Sequence, residues 1–205
     1  SRVERCLAQV GDMERALHRM GAGAAPPREV AALRRALEQA PPLREVIAEA
    51  GDWLAWLWDG LDPCAEAVAL IAAALADEPQ GEPGQGGVIR QGFSRELDEL
   101  RGASTDARAY IAGLEKRERE RSGIPSLKVG YNKVFGYYLE VTNPHLARVP
   151  DDYIRRQTLT NGERFYTPEL KEYESRVLNA RERMEELEGA LYRQLCRQVA
   201  GMAEA

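Results

Sequence analysis

A mainly α-helical chain with one small antiparallel β unit is the fold class that the sequence predicts. Three observations carry it. Apolar residues recur every three or four positions over two long stretches, one from Ser94 to Arg121 and one from Thr167 onward, which is the signal of amphipathic helix. Between them, Ile124 to Thr167 switches to alternation at period two, rich in aromatic and branched residues, which is the signal of half-buried strands. Within that window, Asn161-Gly162 separates two such runs. Asn-Gly is the strongest short hairpin signal, because a type I′ turn needs φ > 0 at both central residues. The architecture predicted is a set of helical core segments, then a long antiparallel helical pair carrying the β unit at its tip. At 205 residues, 44% hydrophobic and 30% charged, the chain suits one or two domains with long exposed helices.

From the start, Val3, Leu7, Val10, Met13, Leu17 and Met20 fall at helical spacing, so residues 2–20 read as one amphipathic helix. Gly21 to Pro27 breaks it. Val30, Leu33 and Leu37 mark a second helix ended by Pro41-Pro42, and a third runs from about Leu43 to Ala50. Trp53, Trp56 and Trp58 then crowd together. They read as a binding surface or as helix packing, and packing is favoured because tryptophan dominates burial energetics. Asp62-Pro63 reads as an N-cap with proline at the first helical position, and the Ala-rich helix behind it ends near Asp77. Glu78 to Gly87, rich in Pro and Gly, is the clearest linker or surface loop.

In the first arm, Leu97, Leu100, Ser104, Ala107, Ile111, Leu114 and Glu118 form a heptad seam. Ser122-Gly123-Ile124-Pro125 stops it, with Gly as the C′ residue and Pro just beyond. Thr167-Pro168-Glu169 restarts a helix with cap, proline and first-turn acid. The return arm has Leu170, Tyr173, Val177, Ala180, Met184, Leu187 and Leu191 on one seam. Arms of roughly 30 residues would run about 40–50 Å. The charged run Glu115 to Arg121 reads as solvated helix surface laced with i,i+4 pairs. Inside the β unit, Leu127, Val129 and Tyr131 share one side, and Phe135, Tyr137, Leu139 and Val141 one face. On the third run, Arg156, Thr158 and Thr160 share one face and Arg155, Gln157 and Leu159 the other.

The residues present exclude several functions. There is no P-loop, no metal-ligand spacing and no nucleophile that pairs with a base, so the chain taken alone does not read as a catalyst. The two histidines, His18 and His145, read as exposed helix polarity and turn polarity. Cys6, Cys64 and Cys196 are odd in number and scattered, which fits a reducing, cytoplasmic setting better than a disulfide framework. No signal peptide is visible, and the longest apolar run, Ala67 to Ala76, is about 10 residues against about 20 needed to span a bilayer. The start at Ser1, partway into a helical pattern, points to a piece of a longer protein. Ile124 to Thr167 holds six positive and four negative side chains, net +2, in a chain of net −5. A basic tip on an acidic body points to an anionic partner at the tip. Its candidate contacts stand in and around the turns: Asn132 and Lys133 in the first, then Arg155, Arg156, Gln157, Thr158, Thr160, Asn161 and Arg164 around the second. Lys and Arg neutralise phosphates, while Asn, Thr and Gln donate to phosphate oxygens without reading a base. Hairpin tips are also polar simply because they are wet.

Gly123 to Tyr138 (GIPSLKVGYNKVFGYY) and Arg155 to Glu174 (RRQTLTNGERFYTPELKEYE) resemble the MutS family of DNA mismatch-recognition proteins, at the entry to its clamp domain and the exit into its lever. Arg2 to Arg5, Pro27 to Leu37 and Gly87 to Leu100 look like its core and lever helices; Ala40 to Gly86 match less clearly. The resemblance implies a core and lever region over 1–93, an outgoing lever helix over 94–123, a β clamp over 124–167 and a returning lever helix over 168–205. It implies that the clamp touches the backbone of double-stranded DNA without sequence preference. Asn132 matches an asparagine of the family's first clamp turn, and Arg156 and Asn161 match polar residues of its second, so these lead the contacts. Lys133, Thr158, Thr160 and Arg164 follow by chemistry and position, and Lys133 stands where the family varies. No catalytic or metal-binding residue is implied, and no cofactor here. ATP and Mg belong to the complete protein, a DNA-dependent ATPase that works as a homodimer with mismatch repair partner proteins in the bacterial cytoplasm, on DNA and without a membrane. The mismatch-probing domain and the ATPase are not in this stretch. The alternatives are a helical protein-interaction rod with a β tip and an RNA-binding helical arm.

Overall fold

The computed structural model describes residues 2–49, 56 and 60–203. Trp53 and Trp58 lie outside the described residues; Trp56 is exposed. The fold is mainly α-helical with one four-stranded antiparallel sheet. The chain divides into two compact units, Ser1–Asp98 with Met184–Ala205, and Glu99–Arg183.

The first unit holds α1 (Arg2–Leu7), α2 (Met13–Gly21), α3 (Pro27–Leu37), α4 (Ala40–Glu49), α5 (Ala65–Ala74), the first turn of α6 (Arg95–Ser122) and the later part of α7 (Pro168–Met202). The helix expected over 2–20 is two helices. Asp12 starts the second by accepting the Arg15 N–H at 3.0 Å, a competing cap that apolar spacing does not reveal. Pro41-Pro42 do not end a helix. They occupy the first turn of α4, where a missing N–H removes no hydrogen bond. The cap of α5 is also displaced. Asp62 accepts from the N–H of Cys64 at 2.7 Å, and the helix begins after Cys64, which is held at φ +46°. Met20, Val30, Leu33, Ile71, Leu75, Val88, Ile89, Leu97 and Leu195 form the core of this unit.

The Gly-rich segment over 78–87 is no slack linker. The Ala76 N–H donates to the Val88 carbonyl at 2.9 Å and the Gln80 N–H to that of Gly87 at 3.0 Å. Glu188, on α7 and 0% exposed, accepts the N–H groups of Gly84, Gly86, Val88 and Ile89 at 2.6–3.1 Å. A buried carboxylate is tolerated only with such partners, and this one gives the loop its shape.

In the second unit, the remainder of α6 and the start of α7 flank the sheet: β1 (Lys128–Asn132), β2 (Gly136–Thr142), a 3₁₀ helix (Asn143–Arg148), β3 (Ile154–Leu159) and β4 (Gly162–Tyr166), in the order β1-β2-β4-β3. Ile111, Leu114, Ile124, Leu127, Leu139, Val141, Phe165 and Leu170 make its core. Leu100, Ser104, Ala107, Ile111, Leu114 and Glu118 of the α6 seam are all buried. Tyr110 of α6 stacks on Tyr173 of α7, with centroids 3.6 Å apart and planes 8° from parallel.

The charged run Glu115 to Arg121 is solvated surface only in part: Lys116, Arg117, Glu120 and Arg121 are exposed, and the rest turns to the sheet. Glu115 accepts the Val129 N–H at 3.0 Å, and the Arg119 Nε donates to the Leu127 carbonyl at 2.7 Å. The i,i+4 pair Glu115–Arg119 exists at 2.7 Å. It covers the outer edge of β1, whose polar groups would otherwise invite another strand. Glu118 is buried and accepts the Tyr153 hydroxyl at 2.7 Å, and Arg121 grips Asp152 at 3.1 and 3.0 Å. Charge alone does not distinguish water from a strand edge as the partner. Among the described residues, no helix is long and apolar enough to cross a membrane.

Candidate nucleic-acid interface

The sheet is best followed along β2, because the two hairpins turn at its opposite ends. Asn132 pairs with Gly136 at its start, and Thr142 pairs with Gly162 at its end. Six residue steps at roughly 3.3 Å put these ends about 20 Å apart. The structure therefore separates Asn132 and Lys133 from Thr160 and Asn161. The β1–β2 turn lies on the side where Lys171 and Glu174 of α7 bind Phe135 and Tyr137. The β3–β4 turn lies on the side where the Ser126 and Thr142 hydroxyls meet at 2.9 Å, just after α6 ends.

In the β1–β2 turn, the Asn132 Oδ1 accepts the Val134 N–H at 2.8 Å, which ties the side chain into its own turn. Lys133 and Val134 are exposed. Gly136 sits at φ +81°, and a Cβ there would collide with the Glu174 carboxylate that accepts the Tyr137 N–H at 3.1 Å. The left-handed residue interrupts the alternation. Phe135 therefore meets Tyr138, with centroids 6.0 Å apart, rather than joining Tyr137 and Leu139 as its spacing suggested.

The second hairpin also differs from its reading. Leu159 pairs with Gly162, so the turn residues are Thr160 and Asn161 and not Asn161-Gly162. Neither Asn161 nor Gly162 has a positive φ. Glycine is needed at 162 for close approach: a Cβ would run into the Val141 carbonyl oxygen and lie 3.1 Å from the Thr142 Cα. Asn143 reaches this turn twice. Its N–H donates to the Asn161 carbonyl at 3.0 Å and its Nδ2 to the Thr160 carbonyl at 3.1 Å.

A bulge in β3 overturns the period-two assignment. Arg155 pairs with Phe165, but Gln157 pairs with Arg164 and Thr158 with Glu163, leaving Arg156 as the extra residue. Arg156 and Gln157 thus both join Arg164 and Tyr166, while Thr158 falls with Arg155 and Glu163 on the other face. The arginines differ in availability. Arg155 lies 3.5 Å from the Glu163 carboxylate. Arg164 binds Glu140 at 2.8 Å and Gln157 at 3.0 Å, with its guanidinium 4.2 Å above the Tyr138 ring. Arg156 is exposed, 5.8 Å from the Tyr166 ring, and has no carboxylate partner among the described residues. Also among them, no group of three His, Cys, Asp or Glu is disposed to hold a metal.

Sequence reasoning missed Asn143 and Glu174, and it placed Glu118 on the α6 seam without its partner Tyr153. Only Asn143 carried a local signal, because Asn before Pro favours turn initiation. Glu174 is a glutamate on a charged helix, with nothing in its residue type to mark it from its solvated neighbours, and spacing puts Glu118 on the buried stripe without naming what it binds.

Residues 92–183 match the family model for MutS family domain IV. The chain is 48% identical over 97% of its length to the DNA mismatch repair protein MutS of Methanothrix thermoacetophila, covering 24% of that protein. It is 46% identical over 95% to that of Salinibacter ruber, covering 22%. It is 45% identical over 99% to that of Dehalococcoides mccartyi, covering 24%. The chain thus spans about a quarter of the length of the curated relatives it matches, which share its sequence nearly from end to end. This chain belongs to the MutS family of DNA mismatch repair proteins.

Proposed function

We propose that this chain is the core, lever and clamp portion of a DNA mismatch repair protein, with a clamp over 124–167 that holds the backbone of duplex DNA without reading sequence. One observation carries the reading. Arg156 stands exposed on the sheet with no carboxylate partner among the described residues, while Arg155 and Arg164 beside it are paired. An unpaired arginine is free to neutralise a phosphate. Thr160 and Asn161 add neutral donors that orient on phosphate oxygens. Asn132, Lys133 and Thr158 are weaker contributors, because the first is tied into its own turn and the other two lie apart from Arg156. Arg164 orders the sheet face from which Arg156 projects.

In the complete protein, ATP and Mg are bound outside this chain, and nucleotide-driven change moves the paired helices as levers. Two copies close their clamps around DNA in the cytoplasm, alongside mismatch repair partner proteins. This chain supplies no catalytic group to that ATPase.

The test is a titration of this chain with a homoduplex across a salt series. Nonspecific binding with Kd of about 10⁻⁴ M or weaker at physiological salt is expected. Arg156→Ala should lower the slope of log K against log salt by about one unit. An unchanged slope removes Arg156 from the interface, and no duplex binding at low salt removes the reading. Protein docking is the second reading. One feature favours it: Val134 is 89% exposed at the β1–β2 turn.

A further inference from the structure

We infer that Asn143 is a positioning residue for the β3–β4 turn, holding Thr160 and Asn161 so that their donors face a phosphate oxygen of a nucleic-acid backbone. The inference rests on the proposed clamp function and identifies what prepares one of its contacts.

A two-residue turn exposes carbonyls as well as N–H groups. An exposed carbonyl beside a phosphate is repulsive, because both are acceptors. Here both turn carbonyls are already taken, Asn161 by the Asn143 N–H at 3.0 Å and Thr160 by the Asn143 Nδ2 at 3.1 Å. Among the described residues, no backbone acceptor takes the Thr160 or Asn161 N–H, and neither side chain makes a hydrogen bond. Both residues are exposed. The turn therefore presents two N–H groups, a hydroxyl and a carboxamide, with its backbone carbonyls already bonded.

The frame around Asn143 is fixed independently. It follows directly on Thr142 of β2, whose hydroxyl meets that of Ser126 at 2.9 Å. Pro144 follows in the first turn of the 3₁₀ helix, and its ring fixes φ. Gly162 lies close against Val141 and Thr142, so the turn cannot move off Asn143 without breaking the β2–β4 ladder. Asn143 itself is exposed, so its replacement leaves the core intact.

The experiment is a double-mutant cycle on this chain with Asn143→Ala and Asn161→Ala, read by homoduplex affinity at several salt concentrations and by amide shifts of Thr160 and Asn161. Asn143→Ala removes only the side-chain bond to Thr160. It should weaken binding about three- to tenfold, the effect of one hydrogen bond, and leave the salt slope unchanged because no charge is altered. Combined with Asn161→Ala, the loss should be less than multiplicative, since one residue acts through the other. Asn143→Gln, which keeps an amide donor, should recover part of the affinity. Wild-type shifts at Thr160 and Asn161 with full affinity in Asn143→Ala, or with strictly multiplicative losses, overturn the role of Asn143 alone. No duplex-induced shift at either residue in the unaltered chain overturns the clamp contact at this turn, and the inference with it.

Discussion

The Tyr153 hydroxyl donates to the Glu118 carboxylate at 2.7 Å, and both side chains are buried. The pair fixes the connection between β2 and β3 to α6, because Arg121 binds the same carboxylate and also Asp152. Tyr153→Phe removes one hydrogen bond but leaves Glu118 its Arg121 partner. It should cost about 1–2 kcal/mol. Glu118→Ala strands the buried phenol and should cost more, about 2–3 kcal/mol. Urea unfolding of both variants checks the order, and equal losses would contradict it.

Burial, then Glu118, pushes the Tyr153 phenol above its ordinary range. Burial does the same to Tyr192, whose hydroxyl donates to the Ala25 carbonyl at 2.7 Å. Tyr110 is pushed up to about 12, by burial and then by Glu169. A phenol with a raised folded pKa contributes fully below its unfolded value near 10 and loses that contribution as pH climbs toward the folded value. Stability should therefore fall above about pH 10. In a titration at 295 nm, three of the eight tyrosines should ionise late or only on unfolding. Tyr153→Phe should remove one late phenol and flatten the alkaline loss. Eight phenols titrating together near 10 would refute it.

Two glycines of the second unit should respond in opposite directions to alanine. At Gly162 the new methyl meets the Val141 carbonyl, so Gly162→Ala should destabilise by about 1–3 kcal/mol. At Gly102, inside α6, nothing lies within 4 Å of the new Cβ. Gly102→Ala should stabilise by about 0.5–1 kcal/mol through helix propensity. Thermal melts of the two variants give the signs.

Glu188 accepts four N–H groups, so Glu188→Gln places a donor where acceptors are required. The loss should be about 2–4 kcal/mol, and larger for Glu188→Ala. Limited proteolysis should then cut the segment over 78–89, which the unaltered chain protects. An unchanged cleavage pattern would show that the loop keeps its shape without the carboxylate.

The two long helices and the sheet between them were legible from local pattern, because each buries one face at the period of its own backbone. The α6 seam read at three-and-four spacing is the buried stripe, and Leu139, Val141 and Phe165 face the core as alternation requires. The candidate interface was legible as residue types only. Its arrangement was not, because a single extra residue at Arg156 and a single left-handed glycine at 136 each break the period-two relation between the residues on their two sides.

The sequence by itself determined the helical content, the place of the β unit and the family, since periodicity, capping residues and motif wording are local properties of the chain. Tertiary structure alone decided that the two polar turns stand at opposite ends of β2, that Arg156 has no carboxylate partner among the described residues while Arg164 has one, and that Glu118, Glu174 and Glu188 bind strand and loop groups. The physical reason is that a carboxylate or guanidinium has the same pattern in the chain whatever it binds. Its partner is set by strand register and by which backbone groups lack a hydrogen bond once the chain has closed, and neither is written in the spacing of one segment.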